Sequence, residues 1–403
     1  DSSVADLLEH VSGYRSVAVD KATGQLDGVT APAPSTVHVD LDSPMAELPS
    51  VLANPSFGVV SRSAVEAAAA GGGEQAAFDA DVVGSGPFRL GARSAQQLTL
   101  VPAPGRAARV GRVEVSLFDD RASSYAAFAA RRVDWSEVPA DRVVDATTRF
   151  GRGAFAPYAA ELFYAFNLDS PTFGDERLRS AIVHAVDAAA IIRDVYGGTV
   201  QPMTRLVMDP PLPAAAGIAC GEACAFDVAE ARDLLAQITS GGASLPVVRI
   251  DFDDDKTQTA VAQAIQRDLA AVGLDTELRP RPLGEYQQFA VSGQQELFRL
   301  GWIAAYPSPD GVLTPLFRSG SANNVVGLSS AEVDGLLARA RATADAGERR
   351  SLYGQVEREL LDRSVVVPVA RFEVQSVVAG NVRGLRLTGM GSFDASRVWL
   401  VRG

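Results

Sequence analysis

Residues able to perform catalysis are sparse in this sequence, and none falls into a catalytic motif. The chain has 403 residues and only three histidines. His184 lies within a helical pattern, and no triad partner can be argued for it. The stretch 84–86 (GSG) is followed by Pro87, so the strand–nucleophile–helix arrangement of a hydrolase is missing. No glycine-rich phosphate loop occurs. The sequence therefore predicts no catalytic residue and no enzyme.

An acidic stretch, 251–255 (DFDDD), is the best candidate for a cation site. Calcium loops alternate their ligands along the chain and add a downstream carboxylate, which is missing here. The other interpretation is that these acids form a solvated strand end and cap a helix beginning at Lys256. We favour this second interpretation and predict no metal site and no cofactor.

The two cysteines, Cys220 and Cys224, are separated by three residues that include Gly221. The glycine permits a tight loop, so a local disulfide is sterically possible. Free thiols and half of a metal site are the alternatives, although three histidines leave a metal few further ligands. We predict the disulfide, which would imply an oxidising, extracytoplasmic compartment.

Composition narrows the class of protein. A chain of 403 residues is too long for one ordinary domain, so two or three lobes are expected. Hydrophobic residues make up 47% and the mean hydropathy is +0.07, which excludes disorder. The apolar runs are far shorter than the roughly 20 residues of a membrane helix, so a soluble protein is expected. The net charge of −12 disfavours nucleic acid and anionic membranes as partners.

Hydrophobic periodicity predicts alternating strands and helices, and therefore an α/β chain with mixed sheets. The principal predicted strands are 35–42, 112–120, 160–168, 245–253 and 274–282. The principal predicted helices are 121–135, 175–198, 256–273 and 331–364, the last one broken near 345–347. A low-complexity surface loop is expected at 67–77.

One loop has the composition of a binding surface. In 299–311 (RLGWIAAYPSPDG) a strand pattern ends at Trp302 and is followed by Tyr306 and two prolines. Aromatic side chains offer apolar area with a polar group, and prolines order a loop in advance of binding. Core packing is the alternative for Trp302. Asn323 and Asn324 are candidates for amide contacts, or simply for a turn.

Four stretches resemble one family. They are 83–90 (VGSGPFRL), 163–198, 301–317 and 323–369. Within the second stretch, Asn167, Arg179, Ala181, Ala185, Asp187, Ile191 and Gly197 occupy positions of the family's most diagnostic pattern. The sequence is similar to the extracellular solute-binding proteins of family 5, the binding components of dipeptide, oligopeptide and nickel ABC importers. The resemblance implies the two-lobed periplasmic-binding-protein fold, type II and cluster C-like, with mixed sheets and a hinge.

This resemblance also implies a division of the chain. Residues 1–88 would form an accessory subdomain of lobe I, incomplete at its N-terminus, and 89–167 the core of lobe I. Residues 168–372 would form lobe II, and 373–403 would return to lobe I. No leader sequence is visible before Asp1, so a leader has been removed or the chain begins inside a larger protein. The expected crossings, near 166–172 and 370–378, make Phe166, Asn167 and Arg371 the predicted hinge residues.

The family pattern also suggests ligand contacts. In peptide-binding relatives an aspartate shortly after the Gly-Trp pair anchors the ligand's amino group, and the matching residue here is Ala305. Asp310 is close enough in sequence to replace it, or it only caps a turn. A basic residue three before the tryptophan meets the far end of the peptide in an oligopeptide-binding branch. Arg299 stands there, unless it is a surface-paired arginine at a strand edge.

The resemblance therefore implies an extracytoplasmic substrate-binding protein that captures peptides by lobe closure. Its expected partners are a short-peptide or other small-molecule ligand and an ABC permease, and it is expected to be a monomer. The full-length protein is expected to be lipid-anchored. Two alternatives stay open: the same fold with an oligosaccharide or metal-chelate ligand, and a regulatory lipoprotein with a degenerate pocket.

Overall fold

The structure is a computed structural model, and it describes residues 4–70, 84–207 and 220–401. The α-helices are α1 Leu48–Leu52, α2 Arg62–Ala70, α3 Arg121–Ala129, α4 Val143–Phe150, α5 Glu176–Ala185, α6 Ala188–Asp194, α7 Val228–Thr239, α8 Lys256–Ala271, α9 Leu283–Phe289, α10 Asp310–Phe317, α11 Ala331–Ala342 and α12 Ala346–Asp362. The strands are β1 Val29–Ala33, β2 Thr36–Val39, β3 Phe88–Arg93, β4 Gln97–Pro102, β5 Val113–Ser116, β6 Trp135–Glu137, β7 Ala156–Phe166, β8 Gln201–Pro202, β9 Val248–Asp253, β10 Thr276–Arg281, β11 Leu297–Ile303, β12 Val366–Val374, β13 Ser376–Val378, β14 Val382–Arg383 and β15 Trp399–Leu400. The predicted α/β class is confirmed.

Contacts divide the chain into two compact units. The first comprises Asp1–Ser56 and Ala159–Phe372, and the second comprises Phe57–Tyr158 and Glu373–Gly403. Of the three passages between them, one lies within β7 and one within β12. These units are defined by contacts, whereas the predicted lobes follow a family architecture, so the predicted domain boundaries stay predictions.

The first unit contains a six-stranded mixed sheet in the order β10-β9-β11-β7-β12-β8. Strand β9 pairs in parallel with β10 and with β11, while β11 runs antiparallel to β7. Alternate residues of β7, Leu162, Tyr164 and Phe166, enter one hydrophobic core together with residues of α5 and α8. Phe163 and Ala165, which point to the other face, are buried as well. Burial on both faces explains the continuous apolar sequence of this strand.

Several helices of this unit begin at aspartate or serine caps. Asp255 accepts hydrogen bonds from the backbone N–H groups of Thr257 and Gln258 at the start of α8, and Asp345 caps α12 in the same way. Free N–H groups of a first helical turn are satisfied by such side chains. The favoured interpretation of 251–255 is therefore confirmed at its helical end. Asp251, however, is fully buried rather than solvated.

The helix predicted over 175–198 is interrupted. Helix α5 ends at Ala185, Val186 has extended backbone angles, and α6 begins after Asp187. The Asp187 carboxylate accepts a hydrogen bond from Ala190 N–H, and its own N–H donates to Asp268. A capping aspartate inside a helical pattern starts a new helix because its side chain competes with the backbone for the N–H groups. The periodicity alone did not reveal this break.

The second unit is built from smaller sheets. Strands β3-β4-β5 form an antiparallel sheet, and β6 pairs with β13. A small core of Tyr125, Phe128, Val138 and Val377 lies beside that second pair. Helix α2 includes residues 67–70, so this part of the predicted loop 67–77 is helical, while 71–77 lies outside the described residues.

The predicted disulfide between Cys220 and Cys224 is present, with the Cα atoms 5.3 Å apart. Cys220 is buried. Within residues 4–70, 84–207 and 220–401, no helix combines the length and apolar character that a membrane span requires.

Candidate functional site

The loop that follows β11 is held by its own hydrogen bonds. The Trp302 indole is partly exposed and donates a hydrogen bond to the Gly311 carbonyl at 2.8 Å. The Ala305 carbonyl accepts a hydrogen bond from the Asn54 amide at 2.7 Å. These bonds fix the path of the backbone, so the prolines are one of several devices that order this loop.

Asp310 is the centre of a buried network. It is 0% exposed and accepts hydrogen bonds from the Tyr306 hydroxyl at 2.7 Å and the Thr314 hydroxyl at 2.5 Å. The Arg341 guanidinium adds hydrogen bonds at 3.0 and 3.1 Å. Burial, together with the charge of Asp310, raises the pKa of Tyr306 well above its usual value. Both carboxylate oxygens are thus engaged, and a buried carboxylate is stable only with such partners.

Tyr306 and Asp310, two of the predicted ligand contacts, are buried and already hydrogen-bonded within the protein. Tyr306 is 3% exposed, so its ring packs inside the protein while Trp302 keeps a partly exposed surface. Asp310 would have to exchange existing bonds before it could hold a ligand ammonium. The ligand-binding roles of Trp302, Ala305, Tyr306 and Asp310 stay predictions.

Asn324 shapes the segment after α10. Its side-chain amide donates to the carbonyls of Arg318 and Leu328, and its oxygen accepts from the Leu328 N–H. These bonds to nearby backbone groups are those expected of an asparagine that stabilises a turn. Asn323 is half-buried and lines a cavity of about 250 Å³, beside Tyr306, Glu9 and Arg318.

Arg318 Nη2 donates to both carboxylate oxygens of Glu9 in that cavity wall, at 2.8 and 2.9 Å. Burial raises the pKa of Glu9, but a hydrogen bond with His10 and the charges of Arg318 and Arg341 outweigh burial and lower it to about 2. The charges of Glu9 and Arg318 therefore compensate each other, and this pair offers no excess charge to a ligand.

A second group of polar side chains lies at the carboxyl end of β9. We call it the Arg299 cluster and define it as Tyr164, Tyr196, Asp253, Gln258 and Arg299. The antiparallel register of β7 and β11 places Tyr164 directly opposite Arg299. The Arg299 Nη1 atom is 3.0 Å from Asp253 Oδ1. Side chains paired in a ladder share a face of the sheet, so Tyr164 and Arg299 lie on the same face.

Gln258 and Tyr196, the other two members of the cluster, lie in or next to helices. Asp253 ends β9, and Gln258 lies in the first turn of α8, which starts three residues later at Lys256. Tyr196 follows α6, and its ring contacts Phe372 edge to face with centroids 6.3 Å apart. Polar groups collect here because the end of a strand and the start of a helix meet at one edge of the sheet, as at many binding sites of α/β proteins.

The Arg299 cluster is unusual in its unsatisfied atoms. Five buried polar atoms accept or donate no hydrogen bond with any described residue: Tyr164 Oη, Tyr196 Oη, Asp253 Oδ1, Gln258 Oε1 and Arg299 Nε. Asp253 and Arg299 are close enough for an ion pair, but no hydrogen bond of good angle joins them at Oδ1. Tyr196 and Gln258 are likewise neighbours without a well-formed bond. Buried polar atoms without a hydrogen bond are rare in folded proteins, and a bound ligand is one explanation for them.

Electrostatics keep the two tyrosines protonated. Burial raises the pKa of Tyr164 well above its usual value, with smaller effects from Tyr286 and Arg299. Burial also raises the pKa of Tyr196 to about 12. Both hydroxyls are therefore neutral donors at physiological pH.

The predicted hinge residues lie in well-packed positions. Phe166 is 0% exposed and contacts Phe173. The Asn167 amide donates hydrogen bonds to the carbonyls of Gly293 and Gln295 at 3.0 and 2.8 Å. Arg371 is half-buried in β12, one residue before the passage at Phe372. Phe166 and Asn167 lie within the first unit, whose passage in β7 is earlier, at Tyr158–Ala159. A hinge role stays a prediction for all three.

Of the Arg299 cluster, only Arg299 was predicted to bind. Tyr164 was predicted as part of a buried strand, Asp253 as part of an acidic strand end, and Tyr196 and Gln258 as helical residues. The acidic strand end at 251–255 was the one available signal, because parallel strands gather functional groups at their carboxyl ends. Among the described residues, no group of three or more His, Cys, Asp and Glu side chains is arranged to hold a metal ion.

Comparison with known proteins identifies the family. The sequence profile described as "Bacterial extracellular solute-binding proteins, family 5 Middle" matches residues 6–324. The chain belongs to this family. The resemblance predicted from the motifs is thereby confirmed. The family consists of substrate-binding proteins, a class that is not enzymatic.

Individual relatives of this family are distant. The chain is similar to the peptide transport periplasmic protein SapA of Haemophilus influenzae, with 23% identity over 396 residues, covering 95% of this chain and 69% of that protein. It is also 23% identical over 391 residues to the dipeptide-binding protein DppE of Bacillus subtilis, covering 94% of this chain and 71% of that protein. The match to a probable di/tripeptide-binding protein 5 of Pseudomonas aeruginosa is 28% over 250 residues, covering 60% of this chain and 46% of that protein. The chain thus corresponds to part of each relative.

Solved structures of periplasmic binding proteins show the same fold. The unliganded open form of the periplasmic murein tripeptide binding protein MppA matches with a TM-score of 0.83 at 19% identity, covering 100% of this chain and 79% of that one. DppA from Helicobacter pylori, in complex with the peptide STSA, matches with a TM-score of 0.70 at 21% identity, covering 92% and 73%. The predicted fold class, the two-lobed α/β fold of periplasmic binding proteins, is confirmed.

Proposed function

We propose that this chain is the extracytoplasmic substrate-binding protein of an ABC importer, and that its ligand is a short peptide. The observation that carries the proposal is the set of unsatisfied buried atoms in the Arg299 cluster. Binding sites hold a few polar groups in place for a ligand, and a ligand that supplies their missing bonds gains affinity. Membership of a solute-binding family supports the role, and the peptide transport names of several relatives support the ligand class.

Capture would proceed by closure of two lobes and not by bond chemistry. The main chain of a peptide offers one donor and one acceptor per residue, so a protein can hold it without selecting a sequence. An ABC permease would receive the ligand, and the binding protein would act as a monomer, lipid-anchored in its full-length form. No cofactor is required by this mechanism.

Native mass spectrometry of the freshly purified protein tests the ligand class directly. We expect released peptides of a few residues, and a rise in melting temperature when pooled di- to pentapeptides are added. A released sugar or metal chelate would keep the importer role and overturn the peptide assignment. A clean unliganded mass without any thermal shift would favour the alternative of a regulatory lipoprotein, which the fully engaged Asp310 also favours.

A pair of variants tests the location. Arg299→Ala should lower the affinity for a retained peptide by about tenfold or more, because a charge-assisted contact is worth roughly 1.5–3 kcal/mol. Arg249→Ala is the matched control, since Arg249 lies in the same sheet but pairs with Glu277 and Glu296 at 3.2 and 3.1 Å. Equal losses in both variants would place the ligand elsewhere.

A further inference from the structure

The charge of Arg299 is already compensated inside its cluster. Its Nη1 atom lies 3.0 Å from Asp253 Oδ1, and the side chains are 27% and 8% exposed. Outside the cluster, Arg279 and Arg281 share the single carboxylate of Asp251, at 2.5 and 2.9 Å, so Asp251 balances only one of their two charges. The one arginine of the cluster as defined, Arg299, would meet an entering carboxylate with its charge already paired to Asp253. That carboxylate would also approach Asp253, a like charge in a poorly solvated position.

The unsatisfied atoms of the cluster include acceptors as well as donors. Asp253 Oδ1 and Gln258 Oε1 can only accept, and Arg299 Nε can only donate. The hydroxyls of Tyr164 and Tyr196 can do either. A carboxylate has no hydrogen to offer the two acceptors, so they would remain unsatisfied and face its negative oxygens. An amide presents one N–H group and one carbonyl, which satisfy both kinds of atom.

We propose that the Arg299 cluster receives a neutral amide of the ligand, and that the bound peptides therefore continue through this position instead of ending there in a free carboxylate. This inference rests on the proposed peptide-binding function and adds a substrate class to it.

Competition between two peptide libraries provides the test. Random tri- to pentapeptides are prepared once as free acids and once as C-terminal amides, mixed in equal amounts, and offered to a limiting quantity of the protein. Native mass spectrometry then reads the ratio of retained amide to retained acid. For the native protein we expect the amides to be favoured by about tenfold, the ratio given by roughly 1.4 kcal/mol.

Two variants locate the preference. Asp253→Asn leaves the charge of Arg299 uncompensated, so the ratio should shift toward the acids by about tenfold. Asp254→Asn is the matched control, because Asp254 is exposed and its charge is screened by solvent. That variant should retain the native ratio. The ratio in the native protein needs no variant, so the test holds even where a substitution disturbs folding.

The possible outcomes separate the two proposals. Native protein that binds peptides but retains the acids over the amides would overturn the amide assignment alone. A ratio that Asp253→Asn and Asp254→Asn change equally would overturn it as well. If neither library binds, the peptide-binding function itself fails, and the amide assignment fails with it.

Discussion

Two neighbouring regions of the first unit treat their polar groups in opposite ways. In the loop 302–310, the Asp310 carboxylate has a protein partner for each oxygen, and the Trp302 and Tyr306 donors are both used. In the Arg299 cluster, five buried polar atoms make no hydrogen bond with any described residue, although one of them, Asp253 Oδ1, lies 3.0 Å from Arg299 Nη1. Satisfied networks stabilise and orient a loop, whereas unsatisfied groups cost stability and persist at sites that bind something. The loop is therefore a support, and the Arg299 cluster is the better candidate for ligand contact.

The largest expected effect tests the supporting role of the loop. Asp310→Asn removes the charge that Arg341 faces in a buried position, so the free energy of unfolding should fall by about 3–5 kcal/mol. Urea unfolding followed by tryptophan fluorescence measures this change. The control is Glu332→Gln, because Glu332 pairs with Arg363 at 3.3 Å but is 61% exposed. An exposed pair contributes less than about 1 kcal/mol. Equal effects of the two changes would contradict the buried network.

Tyr306 in the loop and Tyr164 in the Arg299 cluster allow the two regions to be compared with the same substitution. Tyr306→Phe removes a hydroxyl that donates to a charged partner, and should cost about 1.5–3 kcal/mol of unfolding free energy. Tyr164→Phe removes a hydroxyl without a partner, and should change stability by less than about 0.5 kcal/mol or even raise it.

For peptide affinity we expect the opposite order, with the larger effect in Tyr164→Phe. Tyr164→Phe is expected to weaken peptide affinity about threefold to tenfold, because the ligand supplies the missing partner of its hydroxyl. Tyr306→Phe should leave affinity within about twofold. Isothermal titration calorimetry with one retained peptide measures the affinity separately from the unfolding free energy. A large stability loss in Tyr164→Phe would mean that its hydroxyl already has a partner in the folded protein.

A third buried acid extends the comparison to pH. Glu161 lies opposite Trp302 in the β7–β11 ladder, and neither of its oxygens has a partner among the described residues. Burial, with a smaller effect from Glu357, raises the pKa of Glu161 well above 4.5. Above pH 4.5 the unfolded chain therefore releases this proton while the folded chain keeps it. The free energy of unfolding then falls with rising pH, by at most about 1.4 kcal/mol per unit.

Glu161→Gln removes this dependence without changing the shape of the side chain. The variant should gain stability over the native protein as the pH rises from 4.5 toward 8, with the two converging at lower pH. Urea unfolding at several pH values measures the difference. Curves that run parallel across this range would show that Glu161 is ionised in the folded protein.

The local features were largely available from the sequence. Short apolar segments located β7 and β9, and the aspartate before Lys256 located the start of α8. The glycine between Cys220 and Cys224 made the disulfide possible. The family could be recognised because its motifs are short and lie within single segments. The break at Val186 was missed because an apolar helix period continues across it and only the Asp187 cap interrupts it.

By itself, the sequence determined the class of fold, the order of its elements and the family, and it singled out Arg299 and Trp302 as candidate ligand contacts. Only the tertiary structure decided what those residues contact. Arg341 reaches Asp310 across 31 residues, and Tyr164 meets Arg299 only through the register of two strands. Local propensity acts over a few residues, whereas burial and pairing depend on which distant segments pack together. The availability of a polar group for a ligand is therefore a property of the folded chain.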